Sequence, residues 1–554
     1  MRQRSLRPKN KNYCIFLAIF LVQLACDDPR GGVIHPSHDM MTDMMSEMDR
    51  SSGGGSPIDI DQSSSDAMVE AGMILDALTA GRDEDATIEA AGMDASLGGS
   101  EVDAFVEGGE MDASIGGSPI LEPPRFDHLD LVVELAAPSK QVWAELIYVE
   151  RLETGRRYTK YPYAGSGNRT DFWPASTIKM YTATAALVLL EEQGFSIDAI
   201  ATFSHQLNGV WVEDLSMSFR EIIRRTFDCS SNETYTLLLR FAGIDWINQS
   251  FFTPSNGFLQ TTLMRDYVTD DARPWSYNLT ENQKITVEEN RRSWTREHSW
   301  SGRSYANERG CVIYNQSGTA NCTSPHDLSE HMRRLISHRS LPESERFSIG
   351  QEAYAWYRGE TGEAVLNNIE GPSYCGGPAY EGVSAVFPSA SFHHKEGLVS
   401  EYRGSVHHVF DADADIEYVA AIMVDDASER SIRDLSEELA RMVKTPDLYV
   451  HLDYLQDYVN PISADLVTVS DEVGTLTLMI KSFGDNGLDE QGWIPLMGTQ
   501  VQVPSGTSTH ALRSVCLNES AQWFIRGRLQ TLDGREAWSD LHYVIVDHEQ
   551  PCVP

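Results

Sequence analysis

Between Asp27 and Arg125 the chain carries a single aromatic residue, Phe105, in a background of Gly, Ser, Asp, Glu, Ala and Met. Such a stretch cannot bury enough apolar surface to offset the entropy of ordering it. Any fold must therefore be built from the residues beyond Arg125. The stretch also holds much of the acidic excess. Of 554 residues, 82 are Asp or Glu and 44 are Lys or Arg, a net charge of -38, and no lysine lies between Asp27 and Glu122. A surface of that sign repels phosphate backbones, which argues against nucleic acid as a partner. Met93-Asp94-Ala95-Ser96 returns as Met111-Asp112-Ala113-Ser114. Residues 26–125 read as a disordered, self-repelling tether. The spacing of an EF-hand calcium loop is missing.

The first 25 residues read as an export signal. Arg2, Arg4, Arg7, Lys9 and Lys11 precede an apolar run, Tyr13 to Ala25, that is too short for an ordinary membrane span. Leu24-Ala25-Cys26 resembles the lipobox of bacterial lipoproteins, which makes Cys26 the expected lipidation site and the cell envelope the expected location. Gln23 stands where that motif usually has Leu, so simple cleavage to a free secreted protein is the alternative. No later run is long enough to span a bilayer. Six cysteines remain after Cys14 and Cys26, and export favours disulfides among them. Proximity favours Cys311–Cys322 and Cys516–Cys552, with Cys229–Cys375 left over; sequence alone does not fix this connectivity. Metal binding is the rival, but no C-x-x-C spacing is present. No metal and no cofactor are expected.

From Leu129 the texture changes. Leu129 to Leu135 and Val142 to Arg151 read as strands about a turn at Pro138-Ser139. Thr177 to Glu192 has a helical apolar period ending at Gly194. Met217 to Arg225, Asn232 to Phe241 and Asp327 to Ile336 read as further helices. Val383 to Phe387, Ser391 to Leu398, Gly404 to Phe410 and Tyr418 to Val424 read as strands, and Ser431 to Val443 as a closing helix. This order predicts an α+β domain over residues 126–446, with an antiparallel sheet whose first and last elements meet. Residues 447–554 alternate like strands and read as a small, all-β, immunoglobulin-like sandwich for binding or spacing.

Three short boxes carry chemistry. Ser176-x-x-Lys179 opens a predicted helix, where residues three apart share a face. A serine hydroxyl needs a base to become a nucleophile, and lysine serves only where burial or positive charge lowers its pKa. Ser230-Ser231-Asn232 heads the next helix; its serine can relay a proton and its Asn amide can bind both lysine and substrate. Lys395-Glu396-Gly397 lies on a predicted strand, where the lysine supplies charge and the glycine lets substrate approach. Taken singly, the first two boxes could be helix N-caps, and a lone K-x-G means little.

In order, the boxes resemble those of class A serine β-lactamases and penicillin-binding proteins. Pro174 to Met180, Asn232 to Leu239 and Thr323-Ser324-Pro325 resemble flanking segments of that family, interrupted by a polar insertion between about Thr253 and Arg309. The resemblance implies a β-lactamase/transpeptidase-like fold and acylation of Ser176, with Lys179 and Ser230 moving protons. It also implies that Asn232, Lys395 and Gly397 orient substrate, and that the backbone N–H groups of Ser176 and Leu398 hold the oxyanion. Counting back from Ser324-Pro325 by the family's Ω-loop length gives Glu308 as the deacylating base, although the E-x-x-L-N pattern is absent around it. Ser231 replaces an Asp. Glu396 replaces a Thr or Ser and would repel an anionic substrate unless it points away or is protonated; Arg403 could compensate. His393-His394 and His407-His408 fall on adjacent strands, where alternation sends each pair to opposite faces.

The implied activity is a class A β-lactamase-type hydrolase acting on a β-lactam or related amide or ester. The alternatives are a D-Ala-D-Ala peptidase, esterase or penicillin-binding protein of the same fold, and a non-catalytic envelope sensor. The partners expected are a small β-lactam or cell-wall peptide and, through the lipid, a membrane.

Overall fold

The computed structural model describes residues 124, 126–152, 155–164, 166, 172–228, 230–267, 282–311, 320–363, 365–366, 377–399, 402–455, 462–482, 492–514 and 521–546. The leader, Cys26, the acidic tether with its repeat, and Cys229, Cys375, Cys516 and Cys552 lie outside the described residues. Every described element belongs to the unit Leu121–Pro554.

The first element corrects an expectation. Leu129–Ala136 (α1) is a helix and not a strand; it buries Leu129, Val132 and Val133, which are three and four positions apart. A run this short fits either period, and packing decides. Ser139, at φ 63°, turns the chain into the hairpin of β1 (Val142–Leu152) and β2 (Gly155–Pro162).

Ile178–Glu192 (α2) is buried at every position from Ile178 to Leu190. A helix apolar all round must be enclosed by others. β3 (Ile200–Leu207) and β4 (Val210–Ser218) come next, then α3 (Phe219–Asp228) and α4 (Asn232–Ala242). The helix expected from Met217 starts at Phe219, because Met217 and Ser218 close β4 and the Glu221 N–H donates to the Ser218 hydroxyl (3.2 Å). β5 (Gln283–Glu289) and β6 (Arg292–His298) come from the polar insertion and build a four-stranded sheet in the order β4-β3-β5-β6. The insertion is therefore structural, with Ile285 and Val287 fully buried. α5 (Pro325–Ser337) is capped by Ser324, whose hydroxyl accepts from the Asp327 N–H (3.1 Å).

Pro378–Val386 (α6) is a second correction: a strand is expected at Val383 to Phe387, but Ala379, Val383 and Val386 recur at helical spacing on a buried face. β7 (Ser391–Val399), β8 (Tyr402–Asp411), β9 (Ile416–Val424) and α7 (Glu429–Lys444) complete the domain. The main sheet has five antiparallel strands in the order β2-β1-β9-β8-β7, and its first and last strands meet, with Trp143 opposite Met423. One face packs on α1, α6 and α7 through Leu129, Val383, Ile432 and Leu439. The other sends Trp143, Ile147, Val419 and Ala421 into the core around α2. β7 is an edge strand and lies against the turn that opens α2.

The remaining residues form two antiparallel sheets. β10 (Leu448–Leu455), β11 (Ser463–Ser470) and β15 (Gly506–Arg513) make one; β12 (Gly474–Ser482), β13 (Ile494–Pro495), β14 (Val501–Val503), β16 (Ala521–Thr531), β17 (Glu536–Trp538) and β18 (His542–Val546) make the other. They share a core of their own, including Val450, Leu466, Leu478, Ile525 and Leu529. Cys311 and Cys322 form a disulfide, as their proximity in sequence favours.

Candidate active site

Ser176 sits in a single 3-10 turn, Ala175–Thr177, that leads into α2. Ala175 holds φ 45°, a left-handed conformation that costs a non-glycine residue roughly 1 kcal/mol or more and tends to be kept where a site needs it. The Ser176 hydroxyl is not spent on capping: α2 has no side-chain cap, and it is the Thr177 hydroxyl that donates to the Pro174 carbonyl (2.6 Å). Ser176 stays partly exposed, while Lys179, one turn further on, is fully buried.

The second box divides its labour. The Thr234 N–H donates to the Ser231 hydroxyl (3.3 Å), which caps α4 and leaves Ser230 for the site. Ser230 is also left-handed, at φ 52°. Lys179 Nζ donates to Ser230 Oγ (3.1 Å), to Asn232 Oδ1 (2.7 Å) and to the Ser230 carbonyl. Lys395 Nζ, from β7, donates to the same Ser230 Oγ (3.0 Å) and to the Glu396 carbonyl (3.0 Å). Two ammonium donors occupy both lone pairs of one hydroxyl oxygen, so its proton is left to be donated outward. All three boxes thus converge on one oxygen atom.

Gly397 explains why the strand can come so close. A Cβ built on it would lie 2.7 Å from Ser176 N, 2.8 Å from the Pro174 carbonyl oxygen and 2.9 Å from Thr177 N. The backbone of β7 therefore packs directly on the nucleophile's turn, with Leu398 half exposed beside it.

Glu396 and Arg403 are not in the site. Alternation turns them to the opposite face of the sheet from Lys395. The Ala379 N–H at the start of α6 donates to Glu396 Oε1 (3.0 Å), and Arg403 lies 3.7 Å from Oε2. Gly377, at φ 73°, leaves the carboxylate its space: a Cβ there would fall 2.0 Å from Oε1. Arg403 also reaches Glu429 (3.5 Å) and the Ala427 carbonyl (3.4 Å). Burial pushes the Glu396 carboxyl up to about 7, outweighing Arg403 and Lys395, which lower it. A carboxyl raised on folding stabilises the protein fully below the ordinary Glu range. That contribution is lost as pH rises through about 7. Glu396→Gln is expected to flatten this dependence and to raise stability at pH 8 by on the order of 3 kcal/mol, measured by urea unfolding of both proteins between pH 5 and 8.

Glu308 pairs with Arg303 and not with a residue of the three boxes. It ends a single turn, Tyr305–Glu308, with its carboxylate in solvent 2.6 Å from Arg303, which holds it below the usual carboxylate range. The residues that do reach the nucleophile's turn come directly after Thr262. Thr262 and Cys322 exchange two backbone hydrogen bonds (2.9 and 3.1 Å) and so close the base of the long loop. Tyr267 then donates its hydroxyl to the Ala175 carbonyl (3.0 Å) and accepts from Trp173 Nε1 (3.0 Å), while its ring stacks on Tyr235 at 5.2 Å. Sequence reasoning missed this aromatic wall; the signal available was its position after the loop's closing pair.

The histidines split between faces, as alternation dictates, but they pair again across strands. His393 Nδ1 lies 3.3 Å from His408 Nδ1, and His408 Nε2 lies 3.2 Å from Glu417 Oε1, while His407 stacks on Phe392 on the far face. Burial lowers the pKa of His393, His407 and His408.

No family model matches the chain, and no curated protein matches it. Solved structures do. A β-lactamase from Sphaerobacter thermophilus is 15% identical with a TM-score of 0.37, over 58% of this chain and 98% of that one. A class A β-lactamase from Bacteroides cellulosilyticus is 12% identical with a TM-score of 0.37, over 58% of this chain and 100% of that one. PBP-A is 15% identical with a TM-score of 0.35, over 58% of this chain and 98% of that one.

Proposed function

We propose that the chain is a serine hydrolase that forms an acyl-enzyme on Ser176 with a β-lactam or a related cell-wall amide or ester. The observation that carries this reading is the convergence of Lys179, Ser230, Asn232 and Lys395 beside a partly exposed Ser176. In this reading Lys179 acts from its neutral amine form and takes the Ser176 proton as Oγ attacks the carbonyl. Ser230 passes a proton to the leaving nitrogen, and Lys395 attracts an anionic substrate. The N–H groups of Ser176 and Leu398 face the developing oxyanion.

Acylation is better supported than fast hydrolysis. Glu308, the acid expected to activate the deacylating water, lies on the surface paired with Arg303. This favours the penicillin-binding or peptidase alternative over an efficient class A β-lactamase. The basic leader and Leu24-Ala25-Cys26 support an envelope lipoprotein anchored through Cys26.

The test is to incubate the purified chain with benzylpenicillin and follow intact mass. One penicilloyl adduct per chain, mapped to Ser176, absent in Ser176→Ala and lost slowly, is the expected result. Rapid turnover of a chromogenic cephalosporin would return the reading to a β-lactamase. No adduct from either compound would remove β-lactams as substrates.

A further inference from the structure

The joint between the two folded parts holds a cluster that acylation does not use. Glu438 on α7, His451 on β10 and Asp540 between β17 and β18 each present a ligand atom, and these three atoms lie within 4.8 Å of one another. Glu438 is 3% exposed and His451 8%. Tyr449 donates its hydroxyl to Glu438 Oε2 (2.6 Å), which fixes the carboxylate, and Oε1 lies 3.8 Å from His451 Nδ1, too far for a hydrogen bond. His451 Nδ1 has no hydrogen-bond partner, and neither has Asp540 Oδ1. Buried polar atoms are normally paired, so a bare imidazole nitrogen aimed at two carboxylates points to something between them. His542 Nε2 lies 2.5 Å from Asp540 Oδ2, which orients that carboxylate. Arg441 is ion-paired with Glu437 and its Nε lies 3.9 Å from Glu438 Oε1, so the carboxylates of Glu438 and Asp540 share one guanidinium and keep one negative charge between them for a cation.

We infer that Glu438, His451 and Asp540, with water in the fourth position, bind a zinc ion that pins the β-domain to α7. Imidazole and carboxylate ligands in a tetrahedral set suit zinc better than calcium or magnesium, which prefer oxygen alone. Bonds of about 2.0–2.2 Å would hold neighbouring ligand atoms roughly 3.3–3.6 Å apart, so the cluster closes by about 1 Å on binding. Glu438 and His451 lie on neighbouring elements and Asp540 in a loop far along the chain, so no local spacing announces the set. The site is independent of the acylation reading.

The test uses the full chain, stripped with a chelator and titrated with Zn²⁺ by calorimetry. The expected result is one Zn²⁺ per chain, bound at about 1 μM or tighter, and a thermal midpoint that rises with Zn²⁺. Loading with Co²⁺ should give the visible absorption of a tetrahedral site. His451→Ala and the shape-preserving Asp540→Asn should each weaken binding at least about 100-fold. Circular dichroism matching the parent would show that both variants are folded. Absence of stoichiometric binding, or binding that Asp540→Asn leaves unchanged in a folded chain, would overturn the site.

Discussion

Lys179→Met is expected to slow penicillin acylation of Ser176 by about 10³- to 10⁴-fold while leaving the protein folded. Lys179 is fully buried, and its amine spans Ser230 Oγ at 3.1 Å and Asn232 Oδ1 at 2.7 Å. Methionine fills nearly the same volume, so packing around α2 survives. What disappears is the amine that the helix places to take the Ser176 proton, together with its hydrogen bond to Ser230 Oγ. Lys395 cannot replace it: it sits on β7, and its second bond goes to the Glu396 carbonyl at 3.0 Å. Stopped-flow acylation rates, set beside urea midpoints, separate chemistry from folding. If the rate drops less than tenfold, another base serves and the role given to Lys179 is wrong. If the midpoint collapses with the rate, the buried amine is structural. Asn232→Ala offers a graded comparison, because it removes one acceptor from Lys179 and leaves both lysines in place.

The boxes were legible in sequence because each is local. Ser176 and Lys179 need only one turn of helix, and Ser230 and Asn232 need only a helix start. The main sheet was legible for the same reason, since β7, β8 and β9 are long runs whose period is unambiguous. The misread elements, Leu129–Ala136 and Pro378–Val386, are the short ones, where eight or nine residues fit both periods until a partner face is chosen. Glu308 is found at the surface, paired with Arg303. Its selection assumed a loop of fixed length before Ser324, but the bridge between Thr262 and Cys322 closes a much longer loop and brings Tyr267 to the nucleophile's turn. Glu396 was correctly suspected as a misfit beside Lys395. Its resolution required knowing which face of β7 meets α6, and that depends on the helix at Pro378–Val386 that the sequence had presented as a strand.

Gly397→Val is expected to cost the site more than any other change on β7. The nearest heavy atoms to a built Cβ are backbone: Ser176 N at 2.7 Å, the Pro174 carbonyl oxygen at 2.8 Å and Thr177 N at 2.9 Å. None of these can swing aside as a side-chain tip would. Either β7 lifts away from the turn or the turn moves. The first separates the Leu398 N–H from the Ser176 N–H, and the second moves Oγ off the line to the carbonyl. A displacement of about 1 Å at such a site is worth on the order of 100-fold in rate, and forcing an extra side chain into a packed contact costs about 1–3 kcal/mol of stability. Acylation should therefore fall by at least about 100-fold, with a lowered urea midpoint. Gly534 supplies the control: nothing lies within 4 Å of a Cβ built there, so Gly534→Ala should leave acylation unchanged and lower stability only through its φ of 93°. If Gly397→Val acylates at the parent rate, the close approach of β7 to Ser176 does not exist in the working protein, and the oxyanion assignment to Leu398 falls with it.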